Sequence, residues 1–381
     1  MRIVHLCNRM GNLADGIINV VVDLATWQAD NGHDVAVFSL GGDYERLLHE
    51  HGVTTRRVDF SQRSPKNLLR TVNRLNVELA MFAPDIVHSH TMTPAVVAAM
   101  TRRRGARRVS TVHNEFQRGS RLMGLSDAVV CVSEGVEQKM VANLLCRGKT
   151  CVVHNGVVGS PRRPRDGWRR FDEARWTTEE ASDAPRLEPR PLQLVAVGSV
   201  SKRKGSDILL SAFDRLASDD HLVRLRFVGN VDDPGIVAPY IDRPWFRRVE
   251  FSGVVSDPTE YLRAADVLIV ASRQDPHPLA LLEGRQAGLA IVGSRVDGIP
   301  EALDHGNSGL LFDSEDSDGL AELLRALLAS PAERAKYGLA AESGLEHYTV
   351  SRMGSDYLRV YERLLDTAKP ESTPSQPIPV L

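Results

Sequence analysis

The chain has 381 residues, 42% of them hydrophobic and 25% charged, with a formal net charge of −2. That is an ordinary composition for a globular protein, and the length suits two domains that each bury a core. No run of about 18 uncharged apolar residues occurs, and the amino terminus MRIVHLCNRMG reads as a strand entering a loop, so neither a membrane span nor a signal peptide is expected and the protein is placed in the cytoplasm.

Taken in chain order, strands are predicted at 3–7, 35–39, 55–58, 86–88, 108–111, 128–132 and 150–153, with helical periodicity between them, notably over 17–30 and 68–82. A second series follows at 193–197, 224–228, 248–252, 267–271, 290–293 and 309–312. Strands alternating with helices imply an α/β fold with parallel sheets covered on both faces, and two series imply two Rossmann-like domains. Residues 1–157 form the first domain and 192–350 the second. Between them 158–191, rich in Pro, Arg, Glu and Trp, is read as a linker over the surface near the hinge. The tail 367–381, with four prolines and no sustained apolar period, is expected to be disordered.

Charge is divided unevenly. Residues 1–190 carry 27 Lys and Arg against 21 Asp and Glu, whereas 191–381 carry 20 against 28. Arginines cluster at Arg102, Arg103, Arg104, Arg107 and Arg108, and again at Arg118 and Arg121. They read either as a solvated face or as a face toward an anionic acceptor or anionic lipid headgroups. Nucleic acid is not expected, because no aromatic residues interleave with them. The four cysteines, Cys7, Cys131, Cys146 and Cys151, show no CxxC spacing and are expected to be reduced.

Chemistry concentrates in three places. Residues 198–205 (GSVSKRKG) follow a strand and precede a helix, which puts Lys202, Arg203 and Lys204 where an anion would meet a helix amino terminus. The spacing is not that of a Walker loop. Residues 272–301 (SRQDPHPLALLEGRQAGLAIVGSRVDGIPE) carry Asp275, then Glu283 inside the following helix, about two turns along, then Gly288 and a Gly-Ile-Pro-Glu turn. Both acids can border one cleft at the carboxyl end of a parallel sheet; taken as an isolated pair they read instead as an N-cap and a solvated helix residue. In the first half, His113 ends a strand. No metal cluster stands out: Asp316-Ser317-Asp318 reads as a helix cap, and no HExxH or GxSxG is present.

In order and spacing these segments, with Asp15-Gly16-Ile17, Gly32-His33-Asp34-Val35, Pro84-Asp85-Ile86-Val87-His88-Ser89-His90, Thr111-Val112-His113-Asn114, Ser126-Asp127-Ala128, Val132-Ser133 and His154-Asn155-Gly156-Val157, resemble the retaining GT-B glycosyltransferases of family 4 (glycosyl transferases group 1) over roughly residues 1–365. The resemblance implies two Rossmann-like domains facing each other across a cleft, with the last helix, 351–366, crossing back to the first. It assigns Lys204, with Ser199 and Arg203, to the donor diphosphate, Glu283 to the ribose hydroxyls, and His277, Leu279 and Ala280 to the donor loop. Asp275 and His113 are placed beside the transferred sugar as the catalytic pair. Gly16 gives close backbone approach, and Asp15 is a candidate for the acceptor.

The chain departs from the family pattern at four positions. Ser199 stands where the family usually has arginine, so that Lys202 or Arg203 substitutes or the phosphate grip is weaker. Asp275 replaces a glutamate, Pro278 offers no N–H, and Asp15-Gly16 replaces a glycine pair. The expected activity is retaining, metal-independent transfer from a nucleotide sugar, UDP-linked by preference, to a sugar, lipid-linked or small-molecule acceptor, with no cofactor. The alternatives are a non-catalytic nucleotide-sugar-binding subunit of a glycan-assembly complex and a GT-B epimerase or phosphorylase.

Overall fold

The computed structural model describes residues 1–11, 15–61, 64–116, 119–163, 191–217 and 223–367. Most of the expected linker, the expected tail beyond residue 367, and Arg118 lie outside the described residues. The first series forms a seven-stranded parallel sheet from β1 (Arg2–Leu6), β2 (Asp34–Ser39), β3 (Thr54–Arg57), β4 (Ile86–Ser89), β5 (Arg107–Val112), β6 (Ala128–Cys131) and β7 (Thr150–Val152), ordered 3-2-1-4-5-6-7. The second forms a six-stranded parallel sheet from β8 (Leu192–Val197), β9 (Val223–Val228), β10 (Val249–Phe251), β11 (Val267–Val270), β12 (Ala290–Ser294) and β13 (Leu310–Phe312), ordered 10-9-8-11-12-13. All thirteen strands fall where the sequence predicts them, to within a residue or two.

Each sheet is apolar on both faces, which is why its strands read as near-continuous hydrophobic runs. In the first, Val4, Leu6, Ala36 and Phe38 pack with Leu75 and Leu79 of α3 (Pro65–Phe82) and Val97 of α4 (Met92–Met100). On the other face Ile3 and Val109 meet Val20 and Leu24 of α1 (Gly16–Asp30). In the second, Leu194, Leu225 and Phe227 bury Phe213 of α6 (Ser206–Ala217) and Leu324 of α10 (Ser317–Ala329). Val195, Leu268 and Ile291 bury Leu281 and Leu282 of α8 (Leu279–Gln286) on the opposite face.

Local chemistry sets the helix ends. The Ser64 hydroxyl accepts from Asn67 N at the start of α3, with proline at the first helical position. Ala83 ends it in the left-handed region at φ 49°, just before Pro84. Asp316 caps α10 by accepting from Gly319 N, the role read from its sequence.

The last helix, α12 (Val350–Asp366), lies against α1 and the first sheet. Tyr357 is 3.0 Å from the Thr111 hydroxyl and Tyr361 is 2.8 Å from His88 Nδ1. The helix approaches so closely that a Cβ on Gly354 would lie 2.0 Å from Trp27 Cε3.

In both sheets strand order reverses beside the first strand, between β1 and β4 and between β8 and β11. Loops leaving neighbouring strands diverge at such a switch point and open a crevice at their carboxyl ends. The segments singled out in the sequence emerge there.

Candidate active site

The loop after β8 carries the basic segment. Gly205 has φ 64° and its Cα faces the Ala271 carbonyl, where a Cβ would lie 1.8 Å from the oxygen. Only glycine permits that approach, which brings Lys204 against the loop after β11. Lys204 Nζ lies 2.6 Å from Asp275 Oδ2, which also accepts from Ser272 Oγ at 3.2 Å. The Asp275 amide donates to Asp297 Oδ2 at 2.8 Å. Arg203 donates to the Gln274 carbonyl, and its guanidinium stands 5.6 Å from the Phe116 ring of the first domain. Lys202 instead pairs with Asp207 at 2.7 Å, so of the two substitutes considered for the arginine missing at Ser199, Arg203 remains at the cleft. Ser199 and Lys204 both line a small cavity there, with Gly198 and Ser272.

Asp275 does not cap α8: the helix begins at Leu279, Pro278 occupies its N-cap position, and no side chain caps it. Glu283 is therefore one turn into the helix rather than two, because the Pro276 and Pro278 loop delays its start. The first-turn amides of Leu279 and Ala280 have no intrahelical partner. Glu283 is buried and ion-paired with Arg163. The His277 ring is buried between His154, stacked at 5.2 Å, and Tyr348, with both ring nitrogens unpartnered among the described residues. Burial holds its pKa well below the usual histidine range. Of the expected donor loop, His277 thus offers backbone rather than side chain, and its carbonyl already accepts from Asn155 Nδ2 at 3.2 Å.

On the first-domain side, Asp15 caps α1, accepting from Ile17 N at 3.1 Å, so one of its oxygens serves the helix. Gly16 meets Leu279 across the cleft, and a Cβ there would sit 3.6 Å from Leu279 Cδ1, an ordinary contact. His113 follows β5 and keeps 8% of its surface exposed; burial lowers its pKa to about 3, so the ring is neutral.

Further polar contacts join the two walls. Glu301, in the Gly-Ile-Pro-Glu turn, accepts from the amides of Glu134 and Gly135 at 2.8 and 2.9 Å and from His154 Nε2 at 3.1 Å. Burial alone would raise its pKa, but these donors hold it below the usual value. Lys139 of α5 (Glu134–Val141) reaches Asp297 at 2.5 Å and Glu115 at 2.7 Å. A charged chain therefore runs from Lys204 through Asp275 and Asp297 to Lys139.

Residues 158–163 correct the linker reading. Within them Ser160 and Arg163 are buried, each 8% exposed, and Arg162 holds the fully buried Asp23 through Nε and Nη2 at 2.8 and 2.9 Å. Arg163 was missed for the same reason. For its neighbour Arg162 the available signal was Asp23, an acid inside the apolar run of α1, which must find a buried cation; Arg163 pairs instead with Glu283.

Residues 14–158 match the family described as Glycosyltransferase Family 4, and residues 191–330 match that described as Glycosyl transferases group 1. Among similar proteins, D-inositol 3-phosphate glycosyltransferase of Geodermatophilus obscurus is 27% identical over 83% of this chain and 78% of its own. N-acetyl-alpha-D-glucosaminyl L-malate synthase of Bacillus anthracis is 22% identical over 91% and 93%. The Anabaena protein HepE, solved with UDP and glucose, superposes with a TM-score of 0.77 at 17% identity, covering 95% of this chain and all of that one. A glycosyltransferase from Rickettsia africae superposes equally well over 96% and 99%. The chain belongs to the family 4, group 1 glycosyltransferases and has their GT-B fold.

Proposed function

We propose that the chain transfers a sugar from a nucleoside-diphosphate donor, UDP-linked by preference, to an acceptor hydroxyl with retention of configuration. The observation that carries this is the convergence, at the switch point of the second sheet, of Lys204, Asp275, Glu283 and the free first-turn amides of α8, opposite His113. A departing diphosphate gains negative charge, and Lys204, Arg203 and these amides are donors suited to stabilise it. Glu283 offers two acceptor oxygens to vicinal ribose hydroxyls. Attack occurs on the face the phosphate leaves, and the phosphate takes the acceptor's proton. No metal or cofactor is assigned to the reaction.

For the acceptor we favour a small anionic hydroxyl compound. One relative is named for D-inositol 3-phosphate and another for a glucosaminyl malate, and the first half of this chain is the more basic half. The arginine cluster is less suited to a lipid-linked acceptor. Arg102, Arg103, Arg104 and Arg108 line a cavity of about 410 Å³ with Asp85, at the amino ends of β4 and β5. His113 is at the carboxyl end of β5, about 20 Å away for a six-residue strand, so docking through these arginines would not bring a membrane to the cleft. Among the described residues no helix is long and apolar enough to cross one.

One observation favours a nucleotide-sugar-binding subunit without turnover: Lys204 and Glu283 are both already paired, with Asp275 and Arg163. Thermal-shift and calorimetric titration with UDP, GDP, ADP and dTDP tests the nucleotide site both readings share, and UDP binding without turnover on any acceptor would favour the subunit. UDP should bind best, and Glu283→Ala and Lys204→Ala should each weaken it by about 1.5 to 3 kcal/mol, the range for one partner of a charged hydrogen bond. Wild-type affinity in both variants would place the nucleotide elsewhere.

A further inference from the structure

His113 is the last link in a buried chain whose other members the proposed reaction does not use. Its Nε2 lies 3.3 Å from His90 Nδ1. His90 Nε2 lies 2.9 Å from His5 Nδ1, and His5 Nε2 lies 2.8 Å from Gln28 Oε1. Gln28 and His5 are fully buried and His90 is 1% exposed. Burial pushes His5 to about 4 and His90 well below the usual range. All three imidazoles are therefore neutral at physiological pH, and a neutral imidazole has one N–H donor and one bare acceptor nitrogen.

That parity makes the chain directional. With the Gln28 amide turned so that Oε1 faces His5 Nε2, that oxygen can only accept, so His5 donates from Nε2 and its Nδ1 is bare. His90 must then donate from Nε2 and accept at Nδ1, and His113 must donate from Nε2. Turning any one ring to its other tautomer sets two protons or two lone pairs against each other in a site closed to bulk solvent. His88 stands outside the series, bonded to Thr111 at 2.7 Å and Tyr361 at 2.8 Å. Every ring nitrogen of His5, His88 and His90 is thus engaged, and a cation among these three, whose ligand atoms lie within 4.8 Å of one another, would have to displace those bonds. Among the described residues His113 Nδ1 has no partner.

We propose that Gln28, His5 and His90 are positioning residues that lock His113 with its proton on Nε2, so that the atom it offers the cleft is the bare Nδ1, an acceptor for a sugar hydroxyl and not a donor. The inference rests on the reading of His113 as a wall of the sugar site, but its structural half does not. Hydroxyl groups that donate to Nδ1 are favoured there, and a ligand presenting only an acceptor at that point is disfavoured.

The test uses the full chain labelled with ¹⁵N in the histidine rings, with the His113 signals assigned by loss in His113→Asn. Two-bond nitrogen–proton spectra should show wild-type His113 protonated at Nε2 and bare at Nδ1. Gln28→Met keeps length and apolar bulk but removes the acceptor, and should give His113 a mixture of tautomers. Gln28→Glu restores an acceptor and should restore the single tautomer. If Gln28→Met does not fold, His90→Phe breaks the chain one link nearer and should give the same mixture. A wild-type His113 protonated at Nδ1, or a tautomer unchanged when the chain is broken, overturns the proposal. With UDP-glucose as donor, Gln28→Met should lower kcat/KM about tenfold, the equivalent of one hydrogen bond, with UDP affinity unchanged, and Gln28→Glu should recover most of the loss. If transfer itself is never observed, the proposed function is in error while the ring spectra still decide the tautomer.

Discussion

Replacing Asp275 by asparagine separates the two roles assigned to the donor loop, because it should strengthen nucleotide binding while weakening transfer. In the ligand-free protein the Asp275 carboxylate sits 2.6 Å from Lys204 Nζ. A phosphate bound to the same ammonium would lie about 6 Å from that carboxylate, and at an effective dielectric of about 20 two unit charges at that distance repel by about 3 kcal/mol. Asparagine removes the repulsion but holds Lys204 less firmly, so a net gain of about 1 to 2 kcal/mol, or about 5- to 30-fold tighter UDP, is expected. The fold should tolerate the change, since the Lys204 side chain is 22% exposed and stays hydrated. Lys204→Met is the contrasting variant: it strands a carboxylate whose side chain is only 8% exposed and should cost about 2 to 3 kcal/mol in urea unfolding, as well as UDP affinity. Calorimetry at fixed salt decides the matter. If Asp275→Asn binds UDP no more tightly than wild type, Lys204 does not hold the diphosphate.

Arg163→Ala leaves Glu283 with a buried, unpaired carboxylate, so the ligand-free melting temperature should fall, while the additional stabilisation by UDP should exceed that of wild type because ribose no longer competes with a guanidinium; equal stabilisation would argue that ribose does not use Glu283. Gly354→Ala forces a methyl into the Trp27 ring, 2.0 Å from Cε3, and should cost about 1 to 3 kcal/mol by urea titration, whereas a neutral result would mean that α12 does not pack on α1. Acid should destabilise the protein in a defined window. The ordinary histidine value is 6.5, and in the fold His5 lies at about 4 and His113 at about 3, so the unfolded chain takes up protons first as pH falls. Stability is complete above about pH 6.5 and is lost on the way down to pH 4, at up to about 1.4 kcal/mol per pH unit for each ring that stays neutral; a urea midpoint flat from pH 7 to 5 would contradict the buried neutral cluster.

Much of this architecture was legible because parallel strands covered on both faces must be apolar throughout, and runs such as 267–271 and 290–293 have no other use. The switch points follow once two βα series are granted, which is why residues 198–205 and 272–301 emerge at one crevice. What the sequence concealed depends on partners remote in the chain. Asp275 looks like a helix cap until the start of α8 is known, and its ion pair with Lys204 spans 71 residues. Arg163 lies in a stretch whose composition resembles a surface linker, and only the carboxylates of Asp23 and Glu283, on different domains, explain its burial and that of Arg162. The histidines at 5, 90 and 113 belong to different strand ends, and local periodicity carries no information about which rings meet. His277 stands in the donor loop by sequence position, but which way its ring turns depends on a remote partner: stacking on His154 draws it into the core.

The central claim, retaining transfer from a nucleotide sugar held by the second domain, is tested most directly by proton NMR of an α-linked UDP-sugar incubated with the full chain, EDTA and D-inositol 3-phosphate or L-malate. UDP-glucose and UDP-N-acetylglucosamine are the first donors to try. The account predicts that the donor's anomeric signal decays, UDP appears, and the first-formed glycoside carries the α configuration, with Glu283→Ala inert under the same conditions. A β-linked first product, or turnover undiminished in Glu283→Ala, would contradict it.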